Sequence, residues 1–366
     1  MRSVVGIDAS RYAIQQRTGT ETYSFELINA LAALPELPFD VRLYANTTPA
    51  DGWQGVARLG TPREIPFPRF WTHARLSSEM VRHPPDMLFV PSHVVPLIHP
   101  PSVVTIHDLG YLHEPAAHPA RQRLMLDWTT RWNARSQHII AISETTRRDL
   151  VERYSVPNDR ITVVAHGVSS RFAPVSPDNS QQIRSRYGLP ETFVLALGTI
   201  QPRKNLVRLA KAVAELDGVA LVTVGRRGWM AEGICSEIQQ ILPQAGQWIE
   251  PGYVPLADLP ALLSAASVVA MVSTYEGFGL PVLEAMACAT PVVISDTPAL
   301  VEVAGGAARI AVQTDVSAIA EQLAEALAAD RATDRYVAAG RHRAASFTWA
   351  RCATETVAVL QQTLGT

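Results

Sequence analysis

The sequence predicts an α/β protein made of two Rossmann-like domains. The chain has 366 residues, which suits two domains of ordinary size. Short apolar runs alternate with longer helical patterns along its whole length, as expected for parallel sheets covered by helices on both faces. Hydrophobic residues make up 47% of the chain and charged residues 18%. This composition excludes a disordered or collagen-like chain and provides large apolar cores.

In the first half of the chain, several apolar runs have the length and composition of buried strands. These runs cover residues 4–7, 41–44, 87–90, 103–106, 138–142 and 161–164. Helical patterns lie between several of them, for example at 21–34 and 143–154. The first half therefore predicts a parallel sheet.

The second half repeats this alternation. Its strand-like runs and helical patterns lie at 193–197, 220–224, 268–272 and 292–294, and at 206–216, 256–266 and 316–329. Between the halves, the segment 171–180 contains Pro174, Pro177 and several turn-forming residues, which predicts a domain boundary. We therefore expect domains at residues 1–170 and 171–347, with a ligand in a cleft between the carboxyl ends of their strands.

Charge and cysteine content exclude several classes of protein. The 32 Lys and Arg residues and 34 Asp and Glu residues give a net charge of −2, whereas nucleic-acid-binding proteins normally have a basic excess. Cys235, Cys288 and Cys352 are too widely spaced for a disulfide framework or a CxxC metal site, and we expect buried thiols in a reducing compartment. Because the sequence shows neither a signal peptide nor an apolar run of ~20 residues, a soluble cytoplasmic protein is expected.

Several catalytic motifs are absent from the sequence. There is no Gly-Lys dipeptide and hence no P-loop, no G-x-S-x-G nucleophile elbow, and no G-x-G-x-x-G after a strand, which argues against a nicotinamide-dependent dehydrogenase. His107, His113 and His118 suggest a metal site. However, His113 and His118 are five residues apart with Pro115 between them, so they cannot form the i, i+4 pair of a zinc helix. No metal site is predicted.

The segment with the most chemical information follows a strand-like run in the second half. Seven residues separate Glu276 from Glu284, Gly277 and Gly279 allow the backbone to approach a ligand closely, and Pro281 suits the first turn of a helix. Amides at a helix N-terminus bind phosphate well, and Glu284 lies about one turn into this predicted helix. For either glutamate alone, an ordinary role near the helix dipole is the better explanation.

Taken together, the two glutamates resemble the E-x7-E motif of the retaining glycosyltransferases of family 4, which have the GT-B fold. Other stretches resemble motifs of this family in the same order along the chain. They are a donor-facing glycine loop at 18–20, a cleft histidine motif at 104–108, late signatures of the N-terminal domain at 142–146 and 164–168, a loop with phosphate-binding basic residues at 198–206, and a continuation at 291–295. The resemblance extends from Val4 to the last helix, at 348–366, which it implies crosses back to the first domain.

The resemblance implies a diphosphate-binding site. Sugar transfer leaves negative charge on the departing diphosphate, and preorganised donors stabilise such charge. Arg203 and Lys204 are assigned this role, together with backbone amides of the loop and helix start, namely those of Gly277, Phe278, Gly279 and Leu280. A solvated basic pair is the plainer alternative, but the helix dipole disfavours cations at a helix start, which favours a phosphate partner.

The remaining site residues also come from the resemblance. Glu284 is expected on the nucleotide ribose and Glu276 on hydroxyls of the transferred sugar, because carboxylates accept several hydrogen bonds. His107 is expected beside the sugar at the reacting centre, at the carboxyl end of a strand, where a ligand site must lie. The neighbouring Asp108 is either a site residue or a turn residue. Further donor contacts are implied for Gly19 and Thr20 and, through the backbone near the base, for Tyr253 and Val254.

The resemblance implies a reaction that retains the anomeric configuration and needs no metal ion or other cofactor, with Arg203 and Lys204 in place of a metal. No residue stands out as a covalent nucleophile, so a front-face displacement is expected. The basic loop is similar to that of mannosyltransferases, which makes GDP-mannose the first choice of donor and a glycan or glycolipid the acceptor. Two alternatives stay open: an epimerase or glycosyl phosphorylase of the same fold, and a non-catalytic nucleotide-sugar-binding protein.

A basic segment with two tryptophans lies at 120–138. An amphipathic basic helix can lie on an anionic membrane, which would place the protein peripherally at the inner membrane face. The alternative is a pair of core-facing tryptophans, Trp128 and Trp132, with solvated arginines. The near-neutral net charge favours this alternative.

Overall fold

The computed structural model describes residues 2–14, 16–50, 52–114 and 120–365. The chain separates into two compact units, one formed by Met1–Gly167 with Phe347–Thr366 and the other by Val168–Ser346. Pro115 and His118, which were weighed in the metal hypothesis, lie outside the described residues. Within the described ranges, no helix has the length and apolar character needed to cross a membrane.

Within the described residues, the first unit is built on a seven-stranded parallel sheet with the order β3-β2-β1-β4-β5-β6-β7. Strands β4, β5 and β6 are buried along their whole length, as expected for a parallel sheet covered on both faces. The strands are β1 (Val4–Asp8), β2 (Asp40–Ala45), β3 (Arg63–Glu64), β4 (Met87–Val90), β5 (Ser102–Ile106), β6 (His138–Ala141) and β7 (Ile161–Val163).

The helices of this unit connect the parallel strands. They are α1 (Gly19–Ala33), α2 (Ser77–Arg82), α3 (Gly110–His113), α4 (Ala120–Asn133) and α5 (Glu144–Tyr154), with shorter helical turns at Gln54–Leu59, Trp71–Leu76 and Asn158–Arg160. Ser143 caps α5, because its Oγ accepts from the Thr146 amide at 3.0 Å, as serine commonly does at this position.

The second unit has a six-stranded parallel sheet, again within the described residues, with the order β10-β9-β8-β11-β12-β13. Its strands are β8 (Phe193–Leu197), β9 (Ala220–Val224), β10 (Trp248–Gly252), β11 (Val268–Met271), β12 (Val292–Ser295) and β13 (Arg309–Ala311). Its helices are α6 (Pro177–Tyr187), α7 (Leu206–Ala214), α8 (Ala231–Ile241), α9 (Leu259–Ala265), α10 (Leu280–Ala287), α11 (Pro298–Ala304), α12 (Val316–Ala328) and α13 (Arg335–Ala345).

The last helix, α14 (Trp349–Leu364), belongs to the first unit. Its apolar face shares a core with α1, in which Trp349, Cys352 and Leu360 pack with Leu27 and Leu31. Burial of this face stabilises the return of the chain to the first unit, because isolated helices gain little from propensity alone.

The predicted α/β architecture with parallel sheets is confirmed, and the differences lie at the edges. Strands β3, β10 and β13, which had no strong apolar run, are all edge strands, and Ile310 in β13 is 43% exposed. Helix α6 begins inside the predicted boundary segment 171–180, at Pro177. Ser176 caps this helix by accepting from the Asn179 amide at 3.3 Å, and proline suits the first helical position.

Candidate active site

Two loops of the second unit hold the predicted phosphate- and sugar-binding residues. One loop follows β8 and contains the helical turn Pro202–Lys204. The other follows β11 and leads into α10. Because β8 and β11 are parallel neighbours in the sheet, both loops leave the sheet at the same edge. The fold thus brings residues more than seventy positions apart into contact.

Glu276 forms ion pairs with both predicted cations. Arg203 Nη1 donates to Glu276 Oε2 at 2.7 Å, and Lys204 Nζ donates to Oε1 at 2.6 Å. The Arg203 guanidinium also donates to the Tyr275 carbonyl at 3.1 Å. The exposed side-chain fractions are 8% for Glu276, 22% for Arg203 and 11% for Lys204. This is a largely buried cluster of two positive charges and one negative charge.

The two cations determine the charge state of the Glu276 carboxyl group. Burial alone would raise its pKa, but the positive charges of Arg203 and Lys204 outweigh burial and hold the pKa at about 2. Glu276 is therefore ionised at neutral pH. An ionised carboxylate accepts hydrogen bonds and donates none, so Glu276 is suited to binding cations or sugar hydroxyls and not to acting as a proton donor.

Asn205 anchors the basic turn, a role that its sequence context does not indicate. Its backbone has a φ of +58°, a left-handed conformation that asparagine tolerates better than most residues. Its buried amide group donates to the carbonyls of Val272 at 3.0 Å and Gln313 at 2.8 Å. The Thr274 amide in turn donates to the Arg203 carbonyl at 2.8 Å. These bonds tie the basic turn to the loop that carries Glu276.

Two buried hydroxyl groups, which the sequence does not single out, hold the start of the Glu276 loop. Ser295 Oγ and Thr297 Oγ1 donate to the Ser273 carbonyl at 2.6 and 2.7 Å. Both residues follow or end β12, the neighbour of β11 in the sheet. A carbonyl that accepts two buried hydrogen bonds is strongly fixed in position. The polar residues at the end of an apolar strand were the only sequence signal for this contact.

Two glycines, Gly198 and Gly225, leave room for the Lys204 side chain and the loop that carries it. Gly198 has a φ of +125°, and a methyl group added there would lie 3.0 Å from Lys204 Cε. Gly225, at the end of the neighbouring β9, has a φ of +150°, and a methyl group there would clash with the Gly198 carbonyl. A side chain at either position would displace the loop that presents Lys204.

The start of α10 adjoins the ion-paired cluster. Gly277 and Phe278 are buried, and Gly279, with a φ of +108°, forms the N-terminal cap of the helix. A methyl group at Gly279 would lie 2.5 Å from Leu300 Cδ2 on α11. Packing against α11 therefore requires glycine at this position. Leu280 is the first helical residue and Glu284 the fifth. The first amides of a helix have no carbonyl partner inside it and suit an anion.

The residues predicted near the nucleotide base follow β10. Val254 is buried, whereas the Tyr253 ring is 40% exposed. The Arg226 guanidinium lies 5.5 Å from the centre of the Tyr253 ring, a cation–π contact. Contact of either residue with a base stays a prediction.

His107 lies in the first unit, directly after β5. It is 8% exposed, and its ring packs edge-on to Tyr23 at 4.8 Å. His107 Nε2 lies 2.8 Å from the Pro91 carbonyl. Since a carbonyl only accepts, Nε2 carries the hydrogen. Burial lowers the pKa of His107 and outweighs the opposing effects of the Pro91 carbonyl and Asp108. The ring is therefore neutral at neutral pH, with Nδ1 as an acceptor.

The loop that contains Pro91, whose carbonyl contacts His107, is held in place by α4. The buried Asn133 side chain donates to the His93 carbonyl and accepts from the Val95 amide at 3.1 Å. His93 Nε2 lies 3.2 Å from Thr130 Oγ1 on the same helix. Because Pro91 lies just before these residues, Asn133 supports the carbonyl that orients His107.

Gly19 and Thr20 are the first two residues of α1, so the predicted glycine loop at 18–20 is a helix start, and contact of either residue with a donor stays a prediction. Glu21 accepts hydrogen bonds from the amide of Thr18, at 3.1 Å, and from its hydroxyl group, half of a capping box. Gly19 is exposed, its φ lies outside the left-handed region, and a methyl group there would meet open space. Packing of the free protein thus gives no reason for glycine at this position.

The other histidine-rich positions have structural partners. Asp108 Oδ1 accepts from the Gly110 amide at 3.1 Å, the contact of a turn residue. His113 Nε2 lies 2.9 Å from Asp149 Oδ1. Among the residues that the structure describes, no group of three His, Cys, Asp or Glu side chains is arranged to hold a metal ion.

The two tryptophans of α4 differ in burial. Trp132 is partly buried and packs on the core of the first unit, whereas Trp128 is 51% exposed. The interpretation of a core-facing pair is therefore correct for Trp132 and wrong for Trp128. The helix keeps Thr130 and Asn133 inward and thus turns position 128 toward solvent.

The structure thus brings Arg203, Lys204 and Glu276 into direct contact and places Gly277, Phe278, Gly279, Leu280 and Glu284 at the adjoining helix start. His107, Gly19 and Thr20 belong to the first unit, where each follows a strand of its sheet or opens the next helix.

Both halves of the chain match models of known protein families. Residues 17–172 match the model of "Glycosyltransferase Family 4", and residues 179–343 match "Glycosyl transferases group 1". The chain is 29% identical to O-antigen chain mannosyltransferase B of Escherichia coli, over 98% of each chain. The two family models together match most of the chain, which therefore belongs to the family 4 glycosyltransferases.

Solved structures show the same fold. Sucrose-phosphate synthase from Thermosynechococcus elongatus has a TM-score of 0.78 at 22% identity, over 99% of each chain. HepE of Anabaena, solved in complex with UDP and glucose, has a TM-score of 0.75 at 17% identity, over 99% of this chain and 100% of its own. The fold is GT-B, and the protein is a glycosyltransferase.

Proposed function

We propose that the protein is a retaining mannosyltransferase that moves mannose from GDP-mannose to a glycan or glycolipid acceptor in polysaccharide or glycoconjugate biosynthesis. The observation that supports this most is the buried Glu276 carboxylate between Arg203 and Lys204. A nucleotide-diphosphate sugar matches this cluster, since its hydroxyls suit the carboxylate and its phosphates suit the cations. Mannose is supported by the similarity over 98% of both chains to an O-antigen mannosyltransferase.

The departing diphosphate would be stabilised by fixed charges. Arg203 and Lys204 provide two cations, and the start of α10 provides backbone amides with partial positive charge. Asn205 and the neighbouring loop hold the basic turn rigidly. Little free energy would therefore be needed to reorganise the site during the reaction, and this preorganisation is the basis of electrostatic catalysis. Two fixed cations supply the charge that a metal ion supplies in other transferases, so no metal ion or other cofactor is required.

Donor binding would exchange the partners of the buried cluster. In the free protein Glu276 neutralises part of the charge of Arg203 and Lys204. The diphosphate takes over these cations, and the Glu276 carboxylate turns to hydroxyls of the transferred sugar. Glu284, one turn into α10, binds the ribose hydroxyls, as the family resemblance implies.

His107 would contact the transferred sugar through a fixed tautomer. The Pro91 carbonyl holds the hydrogen on Nε2, so Nδ1 accepts a hydrogen bond from a sugar hydroxyl. Retention would follow from attack of the acceptor on the face from which the diphosphate leaves, with the departing phosphate as the base that takes the acceptor proton.

The protein would act in the cytoplasm, where nucleotide sugars are made, and peripherally at the inner membrane face if its acceptor is a glycolipid. Two other functions use the same arrangement. An epimerase or glycosyl phosphorylase would act on the donor without transfer to a glycan, and a binding protein would bind the donor without turnover. The products formed from the donor, or their absence, distinguish these two functions from glycosyl transfer.

A nucleotide-sugar screen tests the proposal. Thermal stabilisation is measured first with GDP-mannose, UDP-glucose and UDP-N-acetylglucosamine, and release of GDP is then followed with a mannose-terminated acceptor. We expect stabilisation by GDP-mannose, transfer unaffected by EDTA, and a product with the anomeric configuration of the donor. Preference for a uridine donor, dependence on a divalent metal or inversion at the anomeric carbon would each contradict a part of the proposal. Isomerised donor without transfer would favour the epimerase, and binding without turnover the binding protein.

A further inference from the structure

The loop after β9 exposes side chains to which the proposed reaction gives no role. This loop, residues 225–230, ends where α8 begins, and we call it the β9 loop. Arg226 is exposed, and Trp229 and Met230 are 37% and 58% exposed. Guanidinium groups and aromatic rings are the side chains on which unpaired bases commonly stack. The β9 loop therefore has the chemistry of a loop that binds a base.

Backbone hydrogen bonds hold the β9 loop beside the loop that contains the basic turn. The Ile200 amide donates to the Arg226 carbonyl at 2.8 Å, and the Gly228 amide donates to the Ile200 carbonyl at 3.0 Å. A methyl group at Gly228 would lie 2.5 Å from the Thr199 side chain, so glycine is what allows this close approach. The β9 loop is thus fixed in position relative to the basic turn.

The two arginines of the β9 loop have different partners. Arg227 Nε and Nη2 donate to the two carboxylate oxygens of Glu250 at 2.9 and 2.7 Å, which holds this side chain against β10. The Arg226 guanidinium instead lies 5.5 Å from the centre of the Tyr253 ring. Because the five N–H groups of a guanidinium lie in one plane, such a group can rest on a ring and bond a planar ligand at its edge. Arg226 is therefore the arginine of this loop that suits a base.

The order of the strands places the β9 loop on the side of the basic turn that faces away from the Glu276 loop. Strand β8, which precedes the basic turn, has β11 on one side and β9 on the other, with β10 beyond β9. In a nucleotide-diphosphate sugar, the base and the sugar lie at opposite ends of the diphosphate. A diphosphate on the basic turn with its sugar at Glu276 therefore directs its base toward β9 and β10, which lie ~5 and ~10 Å from β8.

We propose that Arg226 selects guanine as the base of the donor by donating two hydrogen bonds to guanine O6 and N7, while the Trp229 ring stacks on the base. Guanine presents these two acceptors side by side, and arginine is the side chain that most often bonds both. Adenine has an amino donor in place of O6 and uracil lacks N7, so neither base accepts both bonds. This inference rests on the proposed function, because it starts from a nucleotide-diphosphate sugar at the basic turn.

Calorimetric titration of the full chain with GDP, ADP and UDP tests the proposal. We expect GDP to bind at least ~10-fold more tightly than ADP and UDP, and Arg226→Gln to weaken GDP binding by ~10–100-fold with little effect on UDP. Arg226→Lys should also lose the preference for GDP, because an ammonium group keeps the charge but not the planar pair of donors. The control variant Arg184→Gln removes the same charge from α6, where Arg184 bonds Gln181, and should keep the preference.

A variant of Trp229 separates stacking from selection. Trp229→Ala should weaken the binding of all three nucleotides by ~10-fold and keep their order, because stacking tolerates any base. The thermal unfolding midpoints of the Arg226 and Trp229 variants should stay close to that of the unaltered protein, since both side chains are exposed. Unchanged affinities in Trp229→Ala would overturn the stacking contact.

Two results with Arg226→Gln would overturn the selection of guanine. One is a preference for GDP that persists in the variant. The other is an equal loss of affinity for all three nucleotides, which would place Arg226 on the ribose or the phosphates. Preference of the unaltered protein for UDP, or its failure to bind any of the three nucleotides, would contradict the proposed function together with this inference, so the two failures are distinguishable.

Discussion

Lys204 Nζ lies 2.6 Å from Glu276 Oε1, although the two residues are far apart in the sequence and on loops from different strands. Arg203 occupies the other carboxylate oxygen. Glu276 thus neutralises part of the charge of the two cations, which we propose bind the diphosphate of the donor. Such an arrangement lowers the cost of holding two like charges close together in a buried place.

Removal of the Lys204 ammonium tests its role directly. Lys204→Ala should lower transfer by ~100–1,000-fold, because one preorganised donor to the departing diphosphate is lost. Steady-state transfer from GDP-mannose measures the effect. Lys211, the other lysine of the sequence, lies on the same loop–helix unit and is half-exposed, so Lys211→Ala is a matched control with near-normal turnover. Near-normal turnover by Lys204→Ala would refute the assignment.

The two roles of Glu276 can be separated. Glu276→Gln should lower transfer by ~10–100-fold, since a charged acceptor for the sugar hydroxyls is replaced by a neutral amide. Its affinity for GDP, which lacks the sugar, should be unchanged or higher, because Arg203 and Lys204 no longer have a competing carboxylate. Calorimetric titration with GDP and with GDP-mannose gives both values. An equal loss of affinity for GDP and for GDP-mannose would show that Glu276 only supports the fold.

A substitution at Gly19 can separate an effect on folding from an effect on activity. Gly19→Ala should leave the unfolding midpoint unchanged, because the added methyl group meets open space. It should lower transfer by ~10–100-fold if the donor lies against this backbone, since small displacements of a reacting group are costly. Gly233, which also faces open space within α8, provides the control variant Gly233→Ala. Full activity of Gly19→Ala would exclude close donor contact there.

Two buried histidines and one partly buried histidine of the first unit predict a pH dependence of stability. Burial lowers the pKa of His93 to about 4 and lowers the pKa values of His107 and His166 as well. Unfolded histidines titrate near ~6.5, so in the window below this value the unfolded chain binds more protons than the folded one. The free energy of unfolding should therefore fall as the pH is lowered from ~6.5 toward ~4.

This slope is measured by urea unfolding at about pH 7.5 and about pH 5, with unfolding monitored by a signal from the first unit. The variant His93→Asn should reduce the slope. Glu276 acts in a lower window, because its depressed pKa of about 2 means that its contribution is lost only as the pH falls below the unfolded value toward 2. Stability that is level or rises between pH 7.5 and 5 would contradict the histidine account.

The central strands were predictable from local sequence, whereas the charged residues of the candidate site were singled out by the family resemblance. Continuous apolar runs mark strands buried on both faces, and the basic turn and the glutamate loop each follow such a run. The supporting contacts were not predictable. Asn205 reaches carbonyls 67 and 108 positions away, and a lone asparagine gives no sign of such distant partners. The outward position of Trp128 likewise depends on which face of α4 the core occupies.

Binding of a nucleotide-diphosphate sugar at the Arg203, Lys204 and Glu276 cluster, which we propose, can be followed in a single NMR spectrum. Because the sequence has two lysines, Lys204 and Lys211, selective 15N-lysine labelling gives two backbone amide signals, which the variant Lys211→Arg assigns. On titration with GDP-mannose, we expect the Lys204 signal to move to saturation while the Lys211 signal moves little. A Lys204 signal that stays in place at donor concentrations that saturate turnover would contradict it.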